Sequence, residues 1–212
     1  VMHGQADCAR LLTEGLADVN ALYEQQTSLH LAAALGKFPE RREAASALFT
    51  ALIEANADAS VGDAEGCLPS HRVCGAGFVD GLKALMGAGA PVAIPDRSMA
   101  TPLHHAAMCL SEGGVKCVEE LLEGGSYGEK ELSMRSGPYG GTPFEVAVAM
   151  GNQDAAQAIG AKVQRAPASG DFPPLKEVLL LHAPVCALHA PKAEYGPESA
   201  ERLSVLLGYG AS

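Results

Sequence analysis

The feature that most constrains this chain is a constant distance between two motifs that recur along it. The first motif is a tetrapeptide with Thr or Pro near its start, found as TSLH (27–30), LPSH (68–71), TPLH (101–104), TPFE (142–145) and PPLK (173–176). The second motif is two apolar residues, two spacers and a small residue, ending at Gly15, Asn56, Gly89, Gly125 and Gly210. Three of these ends precede a tetrapeptide by the same 12 residues (15 to 27, 56 to 68 and 89 to 101).

Each motif has a physical meaning at a helix end. Thr can cap the free N–H groups of a first helical turn, and Pro at the first helical position loses no hydrogen bond. Gly or Asn accepts the left-handed conformation that closes a helix. The third unit runs 21 residues from Leu68 to Gly89 and 12 more to Thr101, giving a period of 33 residues. This period predicts a stack of helix pairs.

Composition and charge restrict the class of protein. With 48% hydrophobic residues the chain can bury a core, and a net charge of -10 disfavours nucleic acid and anionic membranes as partners. The longest apolar run, VLLLHAPVCALHA, is interrupted by Pro184 and is too short to span a membrane. The six cysteines form no CxxC pair, so we expect free thiols in a reducing intracellular compartment. That compartment is the cytoplasm, unless a removed N-terminal segment before Val1 directs the chain to an organelle.

Several segments resemble the ankyrin repeat. DRSMATPLHHAA (96–107) matches its pattern, with Met99 where the family has Gly. DAEGCLPSHRVCGAG (63–77), TSLHLAAALG (27–36) and GGTPFEVAVAMG (140–151) are similar with substitutions, such as Glu145 in place of His. The resemblance implies an all-α ankyrin-repeat solenoid with finger loops.

We therefore predict one domain, 1–212, of about six units. Their approximate bounds are 1–22 (partial), 23–62, 63–95, 96–136, 137–168 and 169–212. Because the sequence starts within a unit and stops after an apolar helix, we expect either further repeats outside it or a partner that covers the ends. Four segments are longer than the regular unit, around 37–46, 111–114, 126–141 and 182–197, and they are candidate binding loops. The alternative is that they drifted without function.

The resemblance implies different roles for the two adjacent histidines of TPLHHAAM (101–108). His30, His71 and His104 occupy the position that, in the family, bonds backbone and Thr groups within and between units. We expect them to be buried scaffold residues. His105 occupies the next, variable position, which faces the groove, and is a candidate contact residue.

The resemblance also implies a protein-binding surface. The variable groove positions are apolar for residues that would face water, which favours a partner interface. The candidate partner-binding residues are Leu31, Leu35, Arg72, His105, Met108, Val146 and Met150 in the groove and Tyr23, Arg97 and Tyr139 at the finger tips. The alternative is that the long loops fold over the groove and bury it.

No motif predicts an enzyme or a cofactor: the chain has neither G-x-S-x-G nor a phosphate-binding loop. We expect a scaffold or adaptor that binds other protein subunits in a hetero-complex, without inserting into a membrane. One alternative is a regulatory segment of a longer enzyme or channel chain. The other is a zinc protein using His182, Cys186 and His189, although a structural site needs a fourth ligand.

Overall fold

The computed structural model describes residues 18–136 and 141–165. Nine α-helices form this part of the chain, and a 3-10 turn (Pro39–Arg41) precedes the second of them. The helices are α1 (Ser28–Gly36), α2 (Arg42–Glu54), α3 (Pro69–Gly75), α4 (Val79–Gly87), α5 (Pro102–Met108), α6 (Glu112–Glu123), α7 (Glu129–Ser133), α8 (Pro143–Ala149) and α9 (Gln153–Arg165). The described residues contain no strand, only an isolated bridge between Tyr23 and Gln26. The predicted all-α repeat solenoid is confirmed.

Eight of these helices form four packed pairs: α1 with α2, α3 with α4, α5 with α6 and α8 with α9. The first helices of successive pairs pack on one another, and so do the second helices. We call the first set the inner helices and the second set the outer helices. A tight turn precedes each of the first three inner helices, at residues 23–26, 63–66 and 96–99, and we call these the finger turns. None of the helices in the described ranges is long and apolar enough to cross a membrane.

The predicted helix boundaries are observed wherever the structure describes them. Four inner helices begin at the second residue of their tetrapeptides, at Ser28, Pro69, Pro102 and Pro143. The predicted ends of three outer helices lie in the left-handed region, with φ values of 60° at Asn56, 72° at Gly89 and 73° at Gly125. The PPLK motif, Gly15 and Gly210 lie outside the described residues, as do nearly all of the first unit and all of the last. The alternative zinc ligands His182, Cys186 and His189 therefore also lie outside them.

Small residues allow neighbouring helices to approach closely. Ala106 and Ala107 of α5 are fully buried between units, beside Leu103. At Gly113 the approach is closest, because a Cβ atom there would lie 2.2 Å from the carbonyl oxygen of Gly77. Backbone packs directly on backbone at this point, so a side chain cannot be accommodated without moving one unit against the next.

The insertion at 126–141 was predicted as a loop, but it contains α7 and is anchored to the core. Tyr127 is buried; its hydroxyl donates to the carbonyl of Val92 (2.7 Å) and accepts from the N–H of Leu103 (3.1 Å). Leu132 of α7 is buried as well. This part of the insertion therefore adds to the scaffold.

Candidate functional site

Three buried histidines connect successive units. In each, Nδ1 accepts the backbone N–H of the first residue of the tetrapeptide, at 3.2 Å from Thr27 to His30, 3.0 Å from Leu68 to His71 and 3.0 Å from Thr101 to His104. Since Nδ1 accepts, Nε2 carries the proton and donates to a carbonyl of the next unit. The acceptors are Cys67 for His30 (2.8 Å), Ala100 for His71 (3.1 Å) and Gly141 for His104 (3.2 Å).

These histidines are neutral at physiological pH. Burial lowers the pKa of His71 and of His104 to about 4, and it lowers the pKa of His30 as well. A protonated imidazole could not accept at Nδ1, so protonation would break the bond to the tetrapeptide's own N–H and place a charge in the buried joint between units. The predicted scaffold role of His30, His71 and His104 is confirmed.

Glu145 takes the histidine position in the fourth inner helix. Its Oε2 accepts the N–H of Thr142 at 2.8 Å, and Thr142 Oγ1 accepts the N–H of Glu145 at 3.3 Å. A carboxylate has no proton to donate to a further unit, and Glu145 instead pairs with Arg135 of the insertion (Oε2 to Nη2, 3.3 Å). The set of histidine connections therefore ends at this helix within the described residues.

On two of the four inner helices, α3 and α5, the residue after the histidine pairs with an aspartate nine residues earlier. Asp63 Oδ2 accepts from Arg72 Nε at 2.8 Å, and Asp96 Oδ2 lies 3.1 Å from His105 Nε2. The other oxygen of each aspartate accepts backbone N–H groups of its own finger turn. Arg72 also bonds Glu65, at 2.6 Å. Arg72 and His105, both predicted as partner contacts, thus hold the second and third finger turns against their inner helices.

Arg97 connects neighbouring fingers. Its backbone N–H donates to the carbonyl of Glu65 at 3.1 Å, and its guanidinium donates to the carbonyl of Ala64 at 2.5 Å. Arg97 is exposed at the surface, so it can contact a partner while its hydrogen bonds to Glu65 and Ala64 remain in place. Tyr139 lies outside the described residues.

The predicted groove positions differ in their exposure. Leu31 and Met150 are exposed, while Leu35 and Met108 are half-buried against the core. Val146 does not lie on the surface as predicted: it is 2% exposed and belongs to the core. Val146 packs within the hydrophobic core, and the backbone of Gly141 just before α8 lies beside it, since a Cβ atom built on Gly141 would be 3.6 Å from Val146 Cγ2.

An apolar cluster lies at the first described finger. Leu31 stands nine residues after Leu22, the spacing that pairs Arg72 with Asp63 in the next unit. Leu22 is 59% exposed, Tyr23 65% and Leu31 42%. We call Leu22, Tyr23 and Leu31 the finger patch. Three exposed apolar residues thus lie at one finger, and Met99 and Met150 are exposed further along, whereas Arg72 and His105 in the middle of the face are polar and paired.

A cleft of about 410 Å³ separates the second and third fingers. Residues that line it are Glu65, Cys67, Asp96, Arg97, His105 and Met108. The Cys67 thiol donates to Asp96 Oδ2 at 3.5 Å, and burial raises its pKa to about 12. A thiol that stays protonated and donates to a carboxylate is not an activated nucleophile. Among the described residues, this cleft therefore has no arrangement for covalent catalysis through Cys67.

Residues 100–127 match the model of the family described as Ankyrin repeat. The match covers α5, α6 and the turn up to Tyr127, and it lies within the fourth unit predicted from the sequence, 96–136. No curated protein matches the chain.

Proposed function

We propose that this chain, of which residues 100–127 match the Ankyrin repeat model, is a non-enzymatic scaffold or adaptor and a subunit of a larger assembly. Ankyrin repeats are modules of protein–protein interaction. In this proposal the partner is another protein in a hetero-complex, and it contacts the finger turns and the inner helices. The candidate contacts are the exposed residues of that face, above all the finger patch, with Arg97 and Met150 as additional contacts.

The finger patch is the observation that supports this proposal. The exposed side chains of Leu22, Tyr23 and Leu31 lie just before the first finger turn, in that turn and in the helix that follows it. Contiguous exposed apolar surface marks interaction sites, and tyrosine is frequent among the residues that dominate binding energy. Arg72 and His105 contribute less as direct contacts, because their polar groups already have partners within the chain. Val146 is not proposed as a contact, because it is buried.

A matched pair of variants tests the proposal. Leu31→Glu places a charge in the finger patch, whereas Ile94→Glu places one on a comparably exposed apolar residue (52%) outside the finger turns and inner helices. The full chain would first be isolated with its partners from its native source, and the recovered partner would then be titrated against each purified variant. We expect Leu31→Glu to weaken binding by at least about 30-fold, because truncating or charging an interface anchor costs about 2 kcal/mol or more.

Thermal unfolding of both variants is the control for the fold. Equal binding by Leu31→Glu and the unchanged chain would contradict the proposed surface. Loss of binding in both variants would contradict it as well, since the effect would then be unspecific. If the co-purifying partner proved to be a catalytic or channel domain of the same polypeptide, the chain would be a regulatory segment and not a separate subunit.

A further inference from the structure

Three different donor atoms converge in the cleft between the second and third fingers. Cys67 Sγ lies 3.5 Å from Asp96 Oδ2, and His105 Nε2 lies 3.1 Å from the same oxygen. All three atoms lie within 4.8 Å of one another. Cys67 comes from the end of one finger and Asp96 and His105 from the next unit, so the stacking of two units brings the atoms together. A thiol, a carboxylate and an imidazole are the donor types that zinc binds in proteins.

Two of these separations, 3.5 Å from Cys67 Sγ to Asp96 Oδ2 and 3.1 Å from His105 Nε2 to the same oxygen, are close to the edges of a zinc tetrahedron. Zinc binds sulfur at about 2.3 Å, nitrogen at about 2.0–2.1 Å and oxygen at about 2.0–2.2 Å, so tetrahedral ligands lie about 3.3–3.6 Å apart. We propose that Cys67, Asp96 and His105 form a Zn²⁺ site of this protein. The three residues supply three ligands, and the fourth position opens on the cleft and is left to water. The inference does not depend on the proposed partner surface.

The surroundings hold two of the ligands in place. Asp96 Oδ1 accepts the backbone N–H groups of Ser98 (2.8 Å) and Ala100 (3.0 Å), which leaves Oδ2 directed at the site. The ring of His105 packs edge-on against the ring of His71, with centroids 5.2 Å apart. Hydrogen bonds and packing of this kind orient metal ligands and strengthen binding.

Two arginines lie near the site, and both already have partners. The charge of Arg72 is paired with Asp63 and Glu65, and the guanidinium of Arg97 donates to the carbonyl of Ala64. The carboxylates of Asp63 and Glu65 therefore pair with Arg72, and Asp96 is the carboxylate that remains to bind the metal. When Zn²⁺ binds, the Cys67 thiol releases its proton to solvent, and the imidazole proton of His105 moves from Nε2 to Nδ1 through water. Thiolate and carboxylate then balance the charge of the ion, and nothing is oxidised or reduced.

The test uses the full 212-residue chain, stripped of metal with a chelator and titrated with Co²⁺ as a spectroscopic substitute for Zn²⁺. A cobalt–thiolate bond gives a charge-transfer band in the near ultraviolet, and tetrahedral cobalt gives intense visible bands. We expect both signals in the unchanged chain, at one equivalent of Co²⁺, with Zn²⁺ displacing the Co²⁺. Cys67→Ser should abolish the thiolate band, and His105→Gln should weaken Co²⁺ binding by about 100-fold or more, since even outer partners of a site contribute about 10–100-fold.

Two cysteine variants serve as matched controls. Cys109→Ser removes a half-buried thiol outside the cluster, and Cys186→Ser removes the thiol of the alternative zinc motif predicted from the sequence. Neither should change the spectrum. Circular dichroism in chelator checks the fold, and if Cys67→Ser fails to fold, His105→Gln carries the test because His105 is only half-buried. The proposal is overturned if no thiolate band forms, if the band survives in a folded Cys67→Ser, or if it disappears in Cys186→Ser.

Discussion

Met99 holds a backbone conformation that its side chain disfavours. Its φ is 62°, in the left-handed region, at the last position of the third finger turn. Gly66 occupies the same place in the second finger with a φ of 75°. Since a residue with a Cβ loses about 1–2 kcal/mol in this conformation, Met99 reduces the stability of its unit.

Replacing Met99 by Gly should therefore stabilise the chain. The relief of about 1–2 kcal/mol is partly offset by the extra backbone entropy that glycine loses on folding, about 0.5–1 kcal/mol. The Met99 side chain is half exposed, so little packing is lost with it. The net gain is about 0.5–1 kcal/mol, which for a chain of this length corresponds to a rise in Tm of roughly 1–4 °C.

Gly66→Ala is the matched change in the opposite direction. Alanine at position 66 would have to adopt the left-handed backbone conformation, and its Cβ atom would lie 2.8 Å from Arg97 Cγ. We expect a loss of at least about 1 kcal/mol. Urea unfolding at 25 °C, followed by circular dichroism, measures both variants. If Met99→Gly destabilised the chain, or if Gly66→Ala left it unchanged, the argument from the finger geometry would be refuted.

Three further predictions concern the scaffold. The pKa of His71 and of His104 is lowered from 6.5 to about 4, so between these pH values the unfolded chain binds protons that the folded chain does not. The free energy of unfolding should therefore be highest above about pH 6.5 and fall towards pH 4, by up to about 3 kcal/mol for each histidine. Urea unfolding in chelator between pH 7 and 5 would contradict this if it showed no change. His104→Ala should lower the free energy of unfolding by about 3–5 kcal/mol, because it leaves buried groups without partners. If the half-buried His105→Ala lowered it by as much, the scaffold role of His104 would be contradicted. Gly113→Ala should destabilise strongly, since its Cβ would meet the Gly77 carbonyl, whereas Gly87→Ala, with open space around it, should stabilise by up to about 1 kcal/mol; thermal unfolding of both variants distinguishes them by sign.

The starts and ends of the helices could be predicted from the sequence because short local motifs specify them. Thr or Pro at a helix start and Gly or Asn at a helix end act within one turn, so the starts at Ser28, Pro69, Pro102 and Pro143 followed from the tetrapeptides. The same local rule placed Asn56 in the left-handed conformation. The role of the buried histidines came from the resemblance, and their bonds to the next unit agree with it.

The candidate site was less predictable, because its contacts join residues of different segments. The pairs Asp63–Arg72 and Asp96–His105 share one nine-residue spacing, so an aspartate nine residues before an Arg or His is a sequence signal for this contact. The burial of Val146 depends on how the chain before α8 folds, and no local motif specifies this. Cys67 comes near Asp96 and His105 only when two units stack, so its neighbours could not be identified from sequence spacing alone.

Sizing and crosslinking mass spectrometry of the chain, isolated gently from its native source, test the central claim most directly. Three lysines report on different parts of the surface: Lys37 follows an inner helix, Lys130 lies in α7 and Lys83 lies on an outer helix. We predict a large complex with crosslinks to other subunits, more of them from Lys37 and Lys130 than from Lys83. A chain that elutes at its own mass with internal crosslinks alone would contradict the claim that it is a subunit of a larger assembly.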